Sequence, residues 1–433
     1  MSTPYADTDN MRPTPRRAPI LSVLRSRSYL LLWTAQFAAM LAGFFNYVAV
    51  AWLTLQLTGS NLAVGSVLAA ASVPQAVLML LGGAVSDRFT PRNTMLAAGL
   101  GRGLVMAVLA ALTLTHSVQL WQLFAGAILV GATSAFFYPA STSMVPRLVG
   151  QDELEAGNAL LNISRTAAIV LGPAAAGVVV AAAGTGSALA ADAAGSVLAG
   201  LLVVLLPAGS RDPRRSATNP LADVREGVLH VWRDVPLRAT LLVIAVLNFF
   251  ALGAVEVGLP ALAYQRFSQG AVALGTTFAA WGLGSTVGSL AAAARRAPSR
   301  FGWGMVGMVA LLGAGVAATG VAPTLQVLLA VMVVMGVLEG AGTTYLVSWM
   351  QRRTDPGMQG RVMSLVIFSS VGVEPLALAI AGALASRYLG LLFLASAAAI
   401  ELTALAAGLS PSVRRMHTPS EPLAAEPAEV VGG

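Results

Sequence analysis

"GGAVSDRFTPRN", residues 82–93, sets both signs of charge between two long apolar runs in a chain that carries little charge elsewhere. The runs on either side, 62–86 and 95–115, are each long enough to cross a hydrocarbon core of roughly 30 Å. Working outward, the same alternation of apolar run and short polar break fills the sequence. Apolar residues make up 56% of 433 positions and charged residues 10%, where a soluble domain carries about 25% charged. Mean hydropathy is +0.75. Lipid offers no water to the backbone, so such runs must close their own hydrogen bonds as helices. The sequence reads as an all-α polytopic membrane protein.

The runs fall at 29–55, 62–86, 95–115, 120–137, 159–182 and 187–207, then 240–262, 271–292, 303–321, 325–345, 362–385 and 391–409, about twelve by the length rule. All 26 basic residues are arginine, and they sit in alternate loops. Arg12, Arg16, Arg17, Arg25 and Arg27 precede the first run. Arg88 and Arg92 lie between runs two and three, Arg147 between four and five, and Arg352, Arg353 and Arg361 between ten and eleven. The opposite loops offer only Arg266 and Arg387. Arginine-rich loops stay on the cytoplasmic side, which predicts cytoplasmic termini. The chain divides into a cytoplasmic segment 1–28, a six-helix bundle 29–207, a linker 208–238, a second six-helix bundle 239–410 and a cytoplasmic tail 411–433. Within the linker, "LADVREGVLHVW" has the apolar spacing of a surface helix. "YPASTSMVPRLVGQDELEAGNALLNISRTAAIVLGPAAAG" and "YLVSWMQRRTDPGMQGRVMSLVIFSSVGVEPLALAIAG" repeat the same order of features, as a parallel duplication of two bundles requires.

Composition also excludes chemistry. A phosphate-binding P-loop needs a lysine, and so does Schiff-base catalysis; the chain has none, and no cysteine either. His116, His230 and His417 fall in loops or the tail. No Ser/His, paired-Asp or His-rich constellation of a membrane enzyme occupies the runs. No cofactor, metal, ATP or nucleic acid is called for; the arginines report topology. "GLGSTVGS", 282–289, lies inside a run and reads as small-residue packing rather than a nucleotide loop.

The opening stretch resembles the loop 2–3 signature of the major facilitator superfamily, Gly-x-x-x-Asp-Arg-x-x-Arg-Arg, at Gly83, Asp87, Arg88 and Arg92, with Pro91 in place of one basic residue. The order of further blocks, among them "LTGSNLAVGSVLAAASVPQAVLMLLGGAVSDRF" and "QGRVMSLVIFSSVGVEPL", resembles the branch holding macrolide, multidrug and enterobactin exporters. The resemblance implies a major facilitator fold in which Gly83, Asp87, Arg88 and Arg92 form a cytoplasmic gate. It also implies that Gly172, Pro173 and Gly177 of "IVLGPAAAG" form the antiporter-type helix kink, with Ala176 replacing one expected glycine. In that fold spans one, two, four, five, seven, eight, ten and eleven line a central cavity.

An acid at mid-span costs roughly 2.5–3.5 kcal/mol on insertion scales, so each is a functional candidate. Five fall there: Asp192, Glu256, Glu339, Glu374 and Glu401, alongside the basic Arg102 and, at the start of a helix, Arg165. Sorted onto the cavity-lining spans of the family fold, Glu374, Glu339 and Glu256 are the candidate proton or substrate-cation sites, while Asp192, Glu401 and Arg102 read as structural. A carboxyl taken out of water holds its proton more tightly, which suits proton exchange. Met332, Met335, Glu339 and Thr343 share one helical stripe, suited to an apolar cation or to core packing. Asn46, Gln75, Asn248, Thr343 and Ser370 are uncharged polar candidates for the cavity. Asn248 and Glu256, eight residues apart, stand about 80° apart on an ideal helix.

These residues predict a secondary active transporter in the plasma membrane, exporting an amphipathic or hydrophobic small molecule against protons by alternating access. An importer of a polar solute would need a cavity rich in charge. A non-transporting scaffold or sensor would need neither gate charges nor mid-span acids.

Overall fold

The computed structural model describes residues 20–88, 90–150, 153–207, 220–295 and 298–417. A 3-10 turn, Ile20–Arg25, leads into α1 (Arg27–Thr58), which Ser26 caps by accepting from the Tyr29 N–H at 3.3 Å. Gly59 ends α1 in the left-handed region at φ 63°, where a glycine carries no Cβ penalty. There follow α2 (Asn61–Arg88), α3 (Pro91–Leu114) and α4 (Leu120–Leu148). Thr90 caps α3, and Pro91 occupies its first turn, where a missing N–H costs nothing.

Next, α5 (Leu154–Val204) runs for 51 residues, about 75 Å and more than twice a membrane core. It is two crossings joined at Gly184, whose φ of 82° and ψ of 169° lie outside helical geometry and belong essentially to glycine. A short α6 (Pro220–Arg233) precedes α7 (Val235–Gly253), a π-helical turn Ala254–Gly258 and α8 (Leu259–Arg266), which together make one crossing. Then come α9 (Ala271–Ala293), α10 (Phe301–Val321) and α11 (Leu325–Arg353). The next crossing is broken into α12 (Pro356–Val371) and α13 (Glu374–Arg387), followed by α14 (Leu389–Leu409) and α15 (Pro411–Arg414). Among the described residues, ten stretches are long and apolar enough to span a membrane. Counting α5 twice and adding α9 makes twelve, as the run lengths indicate.

Helices α1 to α5 pack into one bundle and α7 to α14 into a second. The two meet through α2 on α13 and α5 on α9. Both contacts are made by glycine. A Cβ on Gly65 would lie 2.5 Å from the Leu378 carbonyl oxygen, and one on Gly177 would lie 2.5 Å from that of Ala271. Asn61 donates to the Ala385 carbonyl at 2.9 Å, and Trp52 packs edge-on to Tyr264 at 5.2 Å. Each of these contacts lies toward the end of the molecule opposite the loop between α2 and α3.

Candidate functional site

Two prolines place the mid-span acids. Pro260 has no N–H to give the carbonyl four residues back, that of Glu256. The helix answers with the π-helical turn at 254–258, and the freed Glu256 carbonyl accepts the Tyr47 hydroxyl of α1, in the other bundle, at 2.9 Å. Tyr47 is itself packed edge-on to Phe278 of α9 at 5.3 Å. Pro375 likewise cannot serve Val371, and the crossing breaks there, so Glu374 opens α13 in its first turn. The π-helical turn packs on α13. The two acids, 118 positions apart in sequence, thus stand at helix irregularities in two elements that pack together beside the bundle interface.

Glu339 stands elsewhere. It accepts the Ser285 hydroxyl at 2.8 Å and the Thr343 hydroxyl at 3.2 Å, in the wall of a cavity of about 460 Å³ inside the second bundle. Asn248 and Ser370 line the same space and bond to each other at 2.7 Å. Asn248 and Glu256 therefore serve different places, one this cavity and the other the interface. The remaining wall is largely apolar, with Ile244, Leu247, Met305, Met308 and Leu346. Its sulfur comes from α10. Met332 and Met335 of the sequence stripe are buried, Met335 under Gly315 and Thr319, so the core alternative holds for both.

A second cavity, about 280 Å³, lies inside the first bundle and is lined by Gln75. Gln36, which the sequence reading passed over, lines it too; a lone glutamine in the apolar "TAQFAAM" was the available signal. Arg102 and Asp192 are a buried ion pair at 3.2 Å beside it. Neither cavity is a single central one, and α3, α10 and the second half of α5 contribute walls that the family picture assigns to the outside. Small residues line these walls, Ala98 and Ala199 in one cavity and Gly304 in the other. Asn46 lines neither cavity; its amide donates to the Met106 sulfur at 3.1 Å.

The side chains of Asp87 and Arg88, and the surroundings of Gly83, fall outside what the structure describes. Arg92 is described, and its guanidinium caps the end of α5 by donating to the carbonyls of Val203, at 3.2 Å, and Val204. Cations at a helix C-terminus are stabilised by its dipole. Gly172 lies against the Phe44 ring, and the Pro173 carbonyl and Gly177 lie against Gly275. The residue that leaves helical geometry in α5 is Gly184, eleven positions beyond Pro173. The "GLGSTVGS" run does pack helices, with Gly284 and Gly288 lying on the Val333 and Val337 carbonyls of α11.

Two helical bundles joined through glycine faces, each enclosing a cavity with few polar groups, define a polytopic transporter. A family model of the Major Facilitator Superfamily matches residues 32–373. The chain belongs to that superfamily, a family of multi-pass membrane transporters rather than enzymes. It is similar to the multidrug efflux pump Tap of Mycolicibacterium fortuitum, with 27% identity over 94% of this chain and 99% of that one. The multidrug efflux pump Tap of Mycobacterium tuberculosis is 27% identical over 90% of this chain and 95% of its own. Among solved structures, the nucleoside transporter NupG superposes with a TM-score of 0.71 at 12% identity, over 88% of this chain and 98% of that one. A bacterial homologue of the human lysosomal transporter Spinster, inward-facing and unoccupied, gives 0.65 at 13% identity, over 90% and 96%. These two share the fold.

Proposed function

We propose that this chain is a proton-coupled exporter of amphipathic or hydrophobic small molecules, set in the plasma membrane with both termini cytoplasmic. The observation that carries the reading is the cavity of the second bundle: an apolar wall with methionines, interrupted by the carboxyl of Glu339 and by the Asn248–Ser370 pair. Such a space accommodates a greasy body of variable shape and one cationic or hydrogen-bonding group. The full-length similarity to multidrug efflux pumps supports outward transport.

Glu256 and Glu374 are the proposed proton sites. They flank the interface that must open and close, so protonation of either changes a charge where the bundles part. Asp87, Arg88 and Arg92 remain the proposed cytoplasmic gate, with Gly83 permitting the close approach. Pro173 with Gly172 and Gly177 keeps the exporter role that the motif implies.

Liposomes reconstituted with the protein, loaded with ethidium and given an imposed proton gradient, test the reading. One charge moved through about 100 mV sustains roughly a fifty-fold concentration ratio. The expected result is that Glu374→Gln abolishes gradient-driven accumulation while downhill exchange of the dye continues. Unchanged accumulation would remove Glu374 from the mechanism, and no movement by the unaltered protein would remove the efflux reading.

A further inference from the structure

The cavity in the first bundle holds a polar group that the rest of the fold does not use. Gln36 is 5% exposed, and its side-chain Nε2 has no hydrogen-bond partner. A buried donor left unpaired costs free energy that the fold otherwise avoids. Gln36 lines the cavity, and Arg102 lines the same space. That guanidinium is fixed in place: Nε and one terminal nitrogen donate to the two oxygens of Asp192, both at 3.2 Å, and the other terminal nitrogen donates to Ser134 at 3.3 Å. Ser196 in turn donates to Asp192 at 3.0 Å. A guanidinium carries five N–H groups in a planar fork, so two remain beyond these three bonds.

The charge balance defines what fits. Asp192 neutralises Arg102 within the protein, so an arriving anion gains little Coulomb energy there. The donors remain, and they are hydrogen-bond donors without net charge. Met40, Phe137 and Ala39 supply an apolar wall around them. We propose that this cavity is a second cargo subsite that binds the uncharged acceptor end of the transported molecule, an ester, amide or ketone oxygen, through the Gln36 amide and the free N–H groups of Arg102. The acidic cavity of the other bundle offers the opposite chemistry through Glu339, so one amphipathic molecule with an amine and a carbonyl matches both bundles in turn. This deepens the efflux reading and rests on it for the class of cargo.

The test separates the two claims by measuring binding with no proton gradient. Protein in lipid nanodiscs is titrated with rhodamine 6G, a cationic dye with an ester carbonyl, and with ethidium, a cationic dye with no carbonyl. Gln36→Leu should weaken rhodamine 6G binding by about tenfold, the worth of one buried hydrogen bond, and leave ethidium unchanged. Gln36→Met, which keeps the length of the side chain and removes the donor, should lose the ester dye equally. The thermal midpoint of ligand-free Gln36→Leu should stay level or rise, because leucine removes an unpaired amide. Four results would overturn the proposal: no rhodamine 6G binding by the intact protein, an equal loss for both dyes, no loss for either, or a fall in thermal midpoint. The last would make Gln36 a structural residue bonded through water. Loss of gradient-driven dye movement with binding intact would count against the efflux reading alone.

Discussion

Asp192 is fully buried and its side chain is the counter-ion of Arg102, which is itself 17% exposed. Removing one member of such a pair strands a charge, at about 3–5 kcal/mol, whereas replacing both by apolar groups is often close to neutral. Asp192→Ala should therefore lower stability by about 3 kcal/mol, and Arg102→Leu with Asp192→Leu should recover most of it. Chemical denaturation followed by far-ultraviolet circular dichroism reads both; an additive double variant would show that the pair is not coupled. The sequence marked both residues as charged and mid-span, and read them as structural. It could not show that they meet, because they stand 90 positions apart on different helices. Gln36 was missed for the opposite reason: an uncharged amide raises no alarm until its surroundings show that nothing answers it.

In the second bundle α9 packs backbone to backbone on α11. A Cβ on Gly284 would fall 2.2 Å from the Val333 carbonyl oxygen, and one on Gly340 would fall 2.1 Å from that of Ser285. Backbone cannot step aside as a side chain does, so Gly284→Ala must push the helices apart, at about 1–3 kcal/mol. Gly307 in α10 has nothing within 4 Å of the same position, so Gly307→Ala should be neutral or stabilise by about 0.5–1 kcal/mol through helix propensity. Melting curves of the two variants in one detergent test the contrast; equal effects would mean that packing does not decide. Most elements were legible from the length of each apolar run, but the breaks in the seventh and eleventh crossings were not, since runs 240–262 and 362–385 read as continuous. The π-helical turn at Glu256 was not legible, because a helix of either kind satisfies the same hydrophobic pattern. What selects it is Pro260 together with a tyrosine from the other bundle, a contact spanning 209 positions.

At the scale of the molecule, the bundles are latched at one end by Gly65 against Gly382, Asn61 on the Ala385 carbonyl, and Gly177 against Gly275. A contact present in one state only biases the equilibrium between states by its own free energy. Asn61→Ala removes a hydrogen bond worth about 1 kcal/mol, roughly a fivefold shift toward the form open at that end. Gly65→Leu cannot close at all without backbone movement and should shift the population further. The chain has no native cysteine, so a single cysteine placed at Leu57 reports the change as its labelling rate by an impermeant maleimide. A rate unaltered in both variants would show that the latch does not set the equilibrium. The twofold division into bundles was legible from the repeated order of motifs. Which end is shut was not, since the contacts that shut it join residues far apart in the chain.

The joint at Gly184 gives α5 a mechanical consequence. On one side of it, Gly177 bears on α9; on the other, Asp192, itself bonded by Ser196, holds the guanidinium at the first-bundle cavity. No flexible loop separates the two arms, only one glycine in a backbone conformation other residues avoid. Tilting one arm therefore levers the other, so that the bundle seam and the grip on a bound carbonyl move as parts of a single crank.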